Sequence, residues 1–316
     1  MHIKVSVIVA IYNAEQYILD SINNICKQSL QEVEIVIVND GSTDGSVEII
    51  DKCAHKDSRI SVYHEKHAGV AHARQVGLEN AKGEYILFVD ADDVVSPNML
   101  EEMYNVAKEQ DADVVVSDFT ELTNEGDTYR SQKPTTLNGL SILEDILNGK
   151  LYGALWNKLI RSEIIRETQA HFTETLTMRE DLVFLSELLP HVDKVAYIPK
   201  AFYGYERRNV SSLTNNYLDE SVDYYRQEVL WNHLILQNQY ISESSRNKIL
   251  QYYSLLAYIT LKKRLFTKEE WNKNFLPYRK DMKDIDLGYK SCLVSIAQNG
   301  LFYTARFFRT VISKLH

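Results

Sequence analysis

The chain has 316 residues, 45% of them apolar and 25% charged, an ordinary globular composition with room for one large domain and an appendage. Its 44 acidic residues outweigh 35 basic ones, and the net charge of −9 argues against nucleic acid as the main partner. Cys26, Cys53 and Cys292 are odd in number and scattered, which excludes a disulfide framework or a C-x-x-C zinc site and points to a reducing compartment.

Val5–Ile11 is a near-continuous apolar run of a strand buried on both faces. It has no small-residue cleavage site after it, so it is expected to be a first strand rather than a signal peptide. Asn13 is placed to cap the next helix, where Ile18, Ile22 and Ile25 recur at helical spacing. Residues 33–38 predict a second buried strand, ending in Asn39-Asp40-Gly41-Ser42-Thr43-Asp44-Gly45. A helix through Ile49 and Ile50, a strand over 60–63 and a helix over 69–81 follow. Tyr85–Val89 is a central strand, residues 98–110 a helix and 112–119 another strand. Strands alternating with helices predict βαβ units, an α/β fold with a mostly parallel, doubly wound sheet. Asn13, Asp40, Asp90–Asp93 and Asp118 are all expected at the carboxyl ends of its strands, the edge where open α/β sheets bind ligands.

Beyond residue 120 the pattern loosens. A short helix over 140–147, patterned segments at 154–160 and 178–189, and a strand over 197–205 remain. From Tyr217 the chain reads as helical, which sets a boundary near residue 215: a catalytic domain over 1–215 and an α-helical add-on over 216–316. In the last segment Leu301, Ala305, Phe308, Ile312 and Leu315 repeat at four-three-four-three spacing beside Arg306, Arg309 and Lys314. That helix fits either an anionic membrane surface or a packed position on its own domain or a protein partner. No apolar run nears the roughly eighteen residues that span a bilayer, so a cytoplasmic protein is expected, peripheral to the inner membrane face at most.

The chemistry concentrates in Asp90-Ala91-Asp92-Asp93. Three carboxylates in four residues repel unless a cation sits among them, and oxygen ligands suit Mn²⁺ or Mg²⁺. An acidic turn that caps the next helix would look the same. The first turn carries neither G-x-G-x-x-G nor a P-loop, which disfavours a dinucleotide or P-loop site.

The segments VSVIVAIYNAEQYI (5–18), VEIVIVNDGSTDGS (33–46), AGVAHARQVGLENAKGEYILFVDADD (68–93), LWNKLIR (155–161), REDLVF (179–184) and YGYERRNVSS (203–212) together resemble the family 2 glycosyltransferases of GT-A fold, in order and spacing. The resemblance covers about the first two thirds of the chain and implies transfer of a hexose, glucose or galactose, from a UDP-sugar to a glycan acceptor on a lipid carrier or a protein. It implies that Asp40 accepts the uracil imide N–H and that Tyr12 stacks on the base, with Ala10 where the family often has proline. Arg74 falls near the nucleotide, followed by Gln75 in place of a commoner asparagine. Asp90 and Asp92 match the D-x-D motif, the first toward the ribose and the second on the metal, with Ala91 between them; Asp93 is left to the acceptor or to a supporting role. Lys158 lies near the donor sugar and Trp156 near the acceptor, where a core position is equally open. Asp181, paired with Glu180, becomes the general base of an inverting displacement, and Arg207, Arg208, Ser211 and Ser212 a loop that closes over the diphosphate. A sugar nucleotidylyltransferase is the alternative enzyme, but its glycine- and arginine-rich first loop is absent from Ile11–Tyr17. A non-catalytic glycan-binding scaffold would be favoured by loss of Asp92 or Asp181, and both are present.

Overall fold

The computed structural model describes residues 2–208 and 221–305. Ser211, Ser212, Phe308, Ile312, Leu315 and the basic residues beside them lie outside the described residues. The chain divides into two compact units, Met1–Asn215 and Asn216–His316.

In the first unit the elements run β1 (Val5–Ile11), α1 (Ile18–Cys26), β2 (Val33–Asp40), α2 (Ser46–Lys56), β3 (Ile60–Glu65), α3 (Val70–Asn80), β4 (Tyr85–Phe88), β5 (Val94–Val95), α4 (Met99–Glu109), β6 (Val114–Leu122), β7 (Thr128–Arg130), α5 (Gly139–Leu147), β8 (Lys158–Arg161), α6 (Ser162–Thr168), α7 (Glu180–Leu188) and β9 (Val195–Glu206). The sheet order is β3-β2-β1-β4-β8-β6-β9-β5, with β7 beside β6. β1, β2, β3 and β4 are mutually parallel, as alternating strand and helix patterns require. Beyond β4 the sheet is mixed: β8 runs antiparallel to both β4 and β6, while β9 runs parallel to β6. The chain thus winds from β1 to β2 and β3 on one side and returns to β4 on the other. The carboxyl ends of β1 and β4 flank this switch point, the place where open α/β sheets generally bind ligands.

The core is the Val/Ile sheet interior covered by helices. Val5, Val7 and Val9 of β1 and Ile35 and Ile37 of β2 are fully buried. Met99, Leu100, Met103, Tyr104 and Ala107 form the buried face of α4. Helix α3 crosses β1 so closely that a Cβ on Gly77 would stand 2.4 Å from Ile8 Cγ2.

Two expected positions differ. Asn13 does not cap α1, which begins only after Tyr17 and has no side-chain cap. Asn13 instead takes a left-handed φ of 48°, and its Oδ1 accepts the Thr43 N–H at 2.8 Å, tying the loop after β1 to the loop after β2. Asp118 lies within β6 rather than beyond its end, buried and held by the Tyr129 and Tyr197 hydroxyls.

The second unit contains, among its described residues, α8 (Val222–Gln237), α9 (Glu243–Lys263), α10 (Lys268–Phe275) and α11 (Tyr289–Gln298). Ser221, Ser242 and Thr267 each accept a backbone N–H from the first turn, which explains where α8, α9 and α10 begin. Trp271 anchors the helices: it is fully buried, with its indole N–H on the Ala257 carbonyl at 3.0 Å. No helix among the described residues is long and apolar enough to cross a membrane.

Candidate active site

Asp40 ends β2 with its carboxylate buried, and two backbone donors fix its orientation. Oδ1 accepts the Ala68 N–H at 2.7 Å, while Oδ2 accepts the Gly69 N–H at 2.9 Å and faces His67 Nδ1 at 2.8 Å. Gly41, the next residue, has φ 70°, and a Cβ there would lie 2.6 Å from the His67 nitrogen. Only glycine fits both demands. Tyr12 follows β1, is 46% exposed, and stacks on His67 with ring centroids 4.1 Å apart. Ala10 lies in β1 opposite Val38 and is half-buried. Asp40, Tyr12 and Ala10 therefore meet at the ends of two adjacent strands.

The D-x-D-D turn leaves β4 on the other side of β1. Its last carboxylate is structural. Asp93 is 3% exposed; its Oδ2 accepts the Tyr203 hydroxyl at 2.6 Å and its Oδ1 the Glu206 N–H at 2.7 Å. The Tyr203 oxygen in turn accepts the Asp90 N–H at 3.1 Å. This lock holds the turn against β9, and burial, then the charges of Asp90 and Asp92, push the Asp93 carboxyl well above its usual range. Ala91 and Asp92 remain half-buried. Among the described residues no three His, Cys, Asp or Glu side chains converge as a ready metal cage. An aspartate pair of this kind still fits Mg²⁺ or Mn²⁺, which take one or two carboxylates and complete their shell with phosphate and water.

Arg74 joins this turn to the helix that carries the candidate base. It is buried, with Nη2 donating to Asp90 Oδ1 at 2.8 Å and Nη1 to Glu180. Glu180 and Asp181 open α7, just after Arg179 at the strained φ of 58°. Burial, then the negative charge of Glu180, push the Asp181 carboxyl up to about 7, against the pull of Arg74. Gln75 holds the segment leading to α7, its Oε1 accepting the Phe172 N–H at 3.0 Å.

Lys158 and Trp156 serve this neighbourhood from inside. Lys158 is fully buried, and Nζ donates to the Tyr152 carbonyl at 2.9 Å, the Ala154 carbonyl at 2.6 Å and Asn157 Oδ1 at 2.8 Å. Burial brings its ammonium down to about 7 despite the charge of Asp181. Its donors hold the chain ahead of β8 rather than face an open donor-sugar site. Trp156 is 4% exposed, stacked on Tyr203 at 4.4 Å, so its ring is packing and offers no open platform. Arg207 lies over Tyr205, 5.7 Å from the ring centre, and Arg208 pairs with Glu206. Ser211 lies outside the described residues. Sequence reasoning missed His67 and Tyr203. A lone histidine in a polar loop and a strand tyrosine carry no spacing signal.

Comparison with known proteins identifies the family. The sequence profile described as "Glycosyl transferase family 2" matches residues 6–169. The glycosyltransferase GlyG of Streptococcus pneumoniae is 32% identical over 226 residues, covering 67% of this chain and 74% of GlyG. A cholesterol galactosyltransferase of Borreliella burgdorferi is 31% identical over 232 residues, covering 69% of this chain but only 64% of that protein. The structure of S. aureus TarS in complex with UDP-GlcNAc superposes with a TM-score of 0.70, over 98% of this chain and 92% of that one; at 21% identity the likeness is one of fold. The GT-A sheet, the matched motifs and these relatives place the chain in glycosyl transferase family 2, and it is a glycosyltransferase enzyme.

Proposed function

We propose that the chain transfers a hexose from a UDP-sugar to a hydroxyl of a glycan, borne by a lipid carrier or a protein, by one inverting displacement assisted by a divalent cation. The observation that carries this reading is the Arg74 bridge, which ties Asp90 of the D-x-D turn to Glu180, the neighbour of Asp181. Tyr12 and Asp40 form the base subsite, and Asp90 and Asp92 the phosphate and cation subsite. TarS, which shares the fold, was solved with UDP-GlcNAc, and this supports a uridine donor here.

Asp181 takes the proton of the acceptor hydroxyl, and that oxygen bonds to the anomeric carbon from the face opposite the diphosphate. The bond from the anomeric carbon to the diphosphate breaks, and UDP leaves with the electron pair. Asp92 and Asp90 would hold a divalent cation, which would supply electrostatic stabilisation of the charge on the leaving diphosphate. A carboxyl raised to about 7 is well matched to proton abstraction near neutral pH. Arg207 and Ser211 complete the reading as a loop over the diphosphate, and all these residues belong to residues 1–215, the proposed catalytic domain. The helical unit is proposed as an add-on with a protein or membrane-surface contact.

Release of the nucleoside diphosphate, UDP from UDP-glucose, UDP-galactose and their N-acetyl forms or GDP from GDP-mannose, tests the proposal. Turnover of one UDP-hexose in Mn²⁺ or Mg²⁺, abolished by chelation and by Asp92→Ala, is expected. Turnover of GDP-mannose alone, or turnover that survives chelation, would overturn it.

A further inference from the structure

His67 sits in the loop between β3 and α3 and touches both residues assigned to the base. Its ring lies flat on Tyr12, centroids 4.1 Å apart and planes 20° from parallel. Its Nδ1 lies 2.8 Å from Asp40 Oδ2, and in the tautomer that carries a proton there it donates to the carboxylate. A planar ring that stacks on the tyrosine and gives a ring N–H to Asp40 offers what a bound uracil would offer. The contact is not explained by packing, because the His67 side chain is 56% exposed while the Asp40 side chain is 4% exposed. The Asp40 carboxylate is oriented without it, by the backbone N–H groups of Ala68 and Gly69.

We infer that the His67 imidazole competes with the nucleotide base for Tyr12 and Asp40, and that a nucleotide seats only by displacing the imidazole from both. His67 is thereby a specificity-determining residue for the donor. The incoming base must match what it removes, an aromatic face for Tyr12 and a ring N–H for Asp40. Uracil supplies both. Cytosine presents a bare acceptor nitrogen in place of the imide N–H, so it would leave a buried carboxylate facing an acceptor. The displacement is local, because an exposed side chain can rotate while the loop backbone stays tied to Asp40 and pressed against Gly41. The inference rests on the proposed assignment of Asp40 and Tyr12 to the base.

The test is calorimetric titration of UDP and CDP, with Mn²⁺ present, into the full chain and its H67A and D40N variants. Losing a ring stack and a hydrogen bond that compete with the ligand should tighten UDP binding by roughly five- to thirty-fold in H67A, while CDP stays weak. In the unmodified enzyme the His67 ring proton resonances should move on UDP addition, as the imidazole leaves the face of Tyr12. Unchanged or weaker UDP binding by H67A, or His67 resonances that stay fixed at saturating UDP, would overturn the inference. D40N should weaken UDP binding. If D40N binds UDP normally, the base assignment itself fails and takes the inference with it, which separates the two failures.

Discussion

At Asp181, burial and the Glu180 charge oppose the attraction of Arg74, and the first two win. As the proposed base, Asp181 must be unprotonated to act, so kcat/KM should rise with pH through about 7 and level off above it. Asp181→Asn should lower kcat by roughly 10²–10⁴-fold with UDP affinity unchanged, as read by steady-state kinetics and titration. The same shift has a stability consequence. The carboxyl loses its proton near 3.8 in the unfolded chain and near 7 in the folded one, so its contribution to stability falls as pH rises between those values. Asp181→Asn should therefore melt higher than the parent at pH 8, with the gap closing toward pH 4; an equal gap at both would contradict the assigned shift. Arg74 works the other way. Arg74→Met leaves Glu180 buried and unpaired beside Asp90, and should cost about 3 kcal/mol by urea denaturation, the low end for a broken buried pair because Asp90 is a third exposed. At this scale Asp40, Arg74, Asp90 and Glu180 were singled out by motif, and the structure ties Arg74 to both Asp90 and Glu180. Lys158 could not be read correctly, because a lysine bonded to backbone carbonyls and one awaiting a ligand look alike in sequence.

Sequence patterning revealed most of the longer elements, among them β1, α1, β2, α4 and β6, together with the short but wholly apolar β4. β5, β7 and β8 have two, three and four residues, too few for a period, and their pairing decides where the sheet turns antiparallel. The Asp93–Tyr203 lock joins such a piece, the turn after β4, to β9 across more than a hundred residues, which no local pattern announces. Tyr203→Phe removes the hydroxyl between Asp93 and the Asp90 N–H, and should destabilise the protein by about 1–3 kcal/mol. Helix α3 carries Arg74 to its place only because Gly77 lets it approach β1. Gly77→Ala puts a methyl against Ile8, and is expected to lower thermal stability by about 1–3 kcal/mol and to weaken UDP binding as Arg74 shifts. Normal stability and binding would show that the packing there is looser than described.

At the scale of the molecule, the parallel half of the sheet carries the loops of the proposed nucleotide site, and the mixed half adds β8, β6 and β9 beside β4. Family motifs made this architecture readable from residues 5–206, because the first motif loops, after β1, β2 and β4, each follow a strand whose buried apolar run is itself visible. The helical unit carries no such motif, and its helix boundaries were recovered only as a general tendency; the caps at Ser221, Ser242 and Thr267 place them. We propose that a uridine-diphosphate hexose is held at the switch point and opened by a single displacement from the side of Asp181. The most direct measurement follows hydrolysis of a ¹³C-labelled UDP-hexose by NMR, with water as acceptor and spectra taken before the free sugar equilibrates. Inversion predicts that the α-linked donor yields β-hexose first, with the signal lost in Asp181→Asn. Initial release of α-hexose, or unchanged release by that variant, would contradict the account.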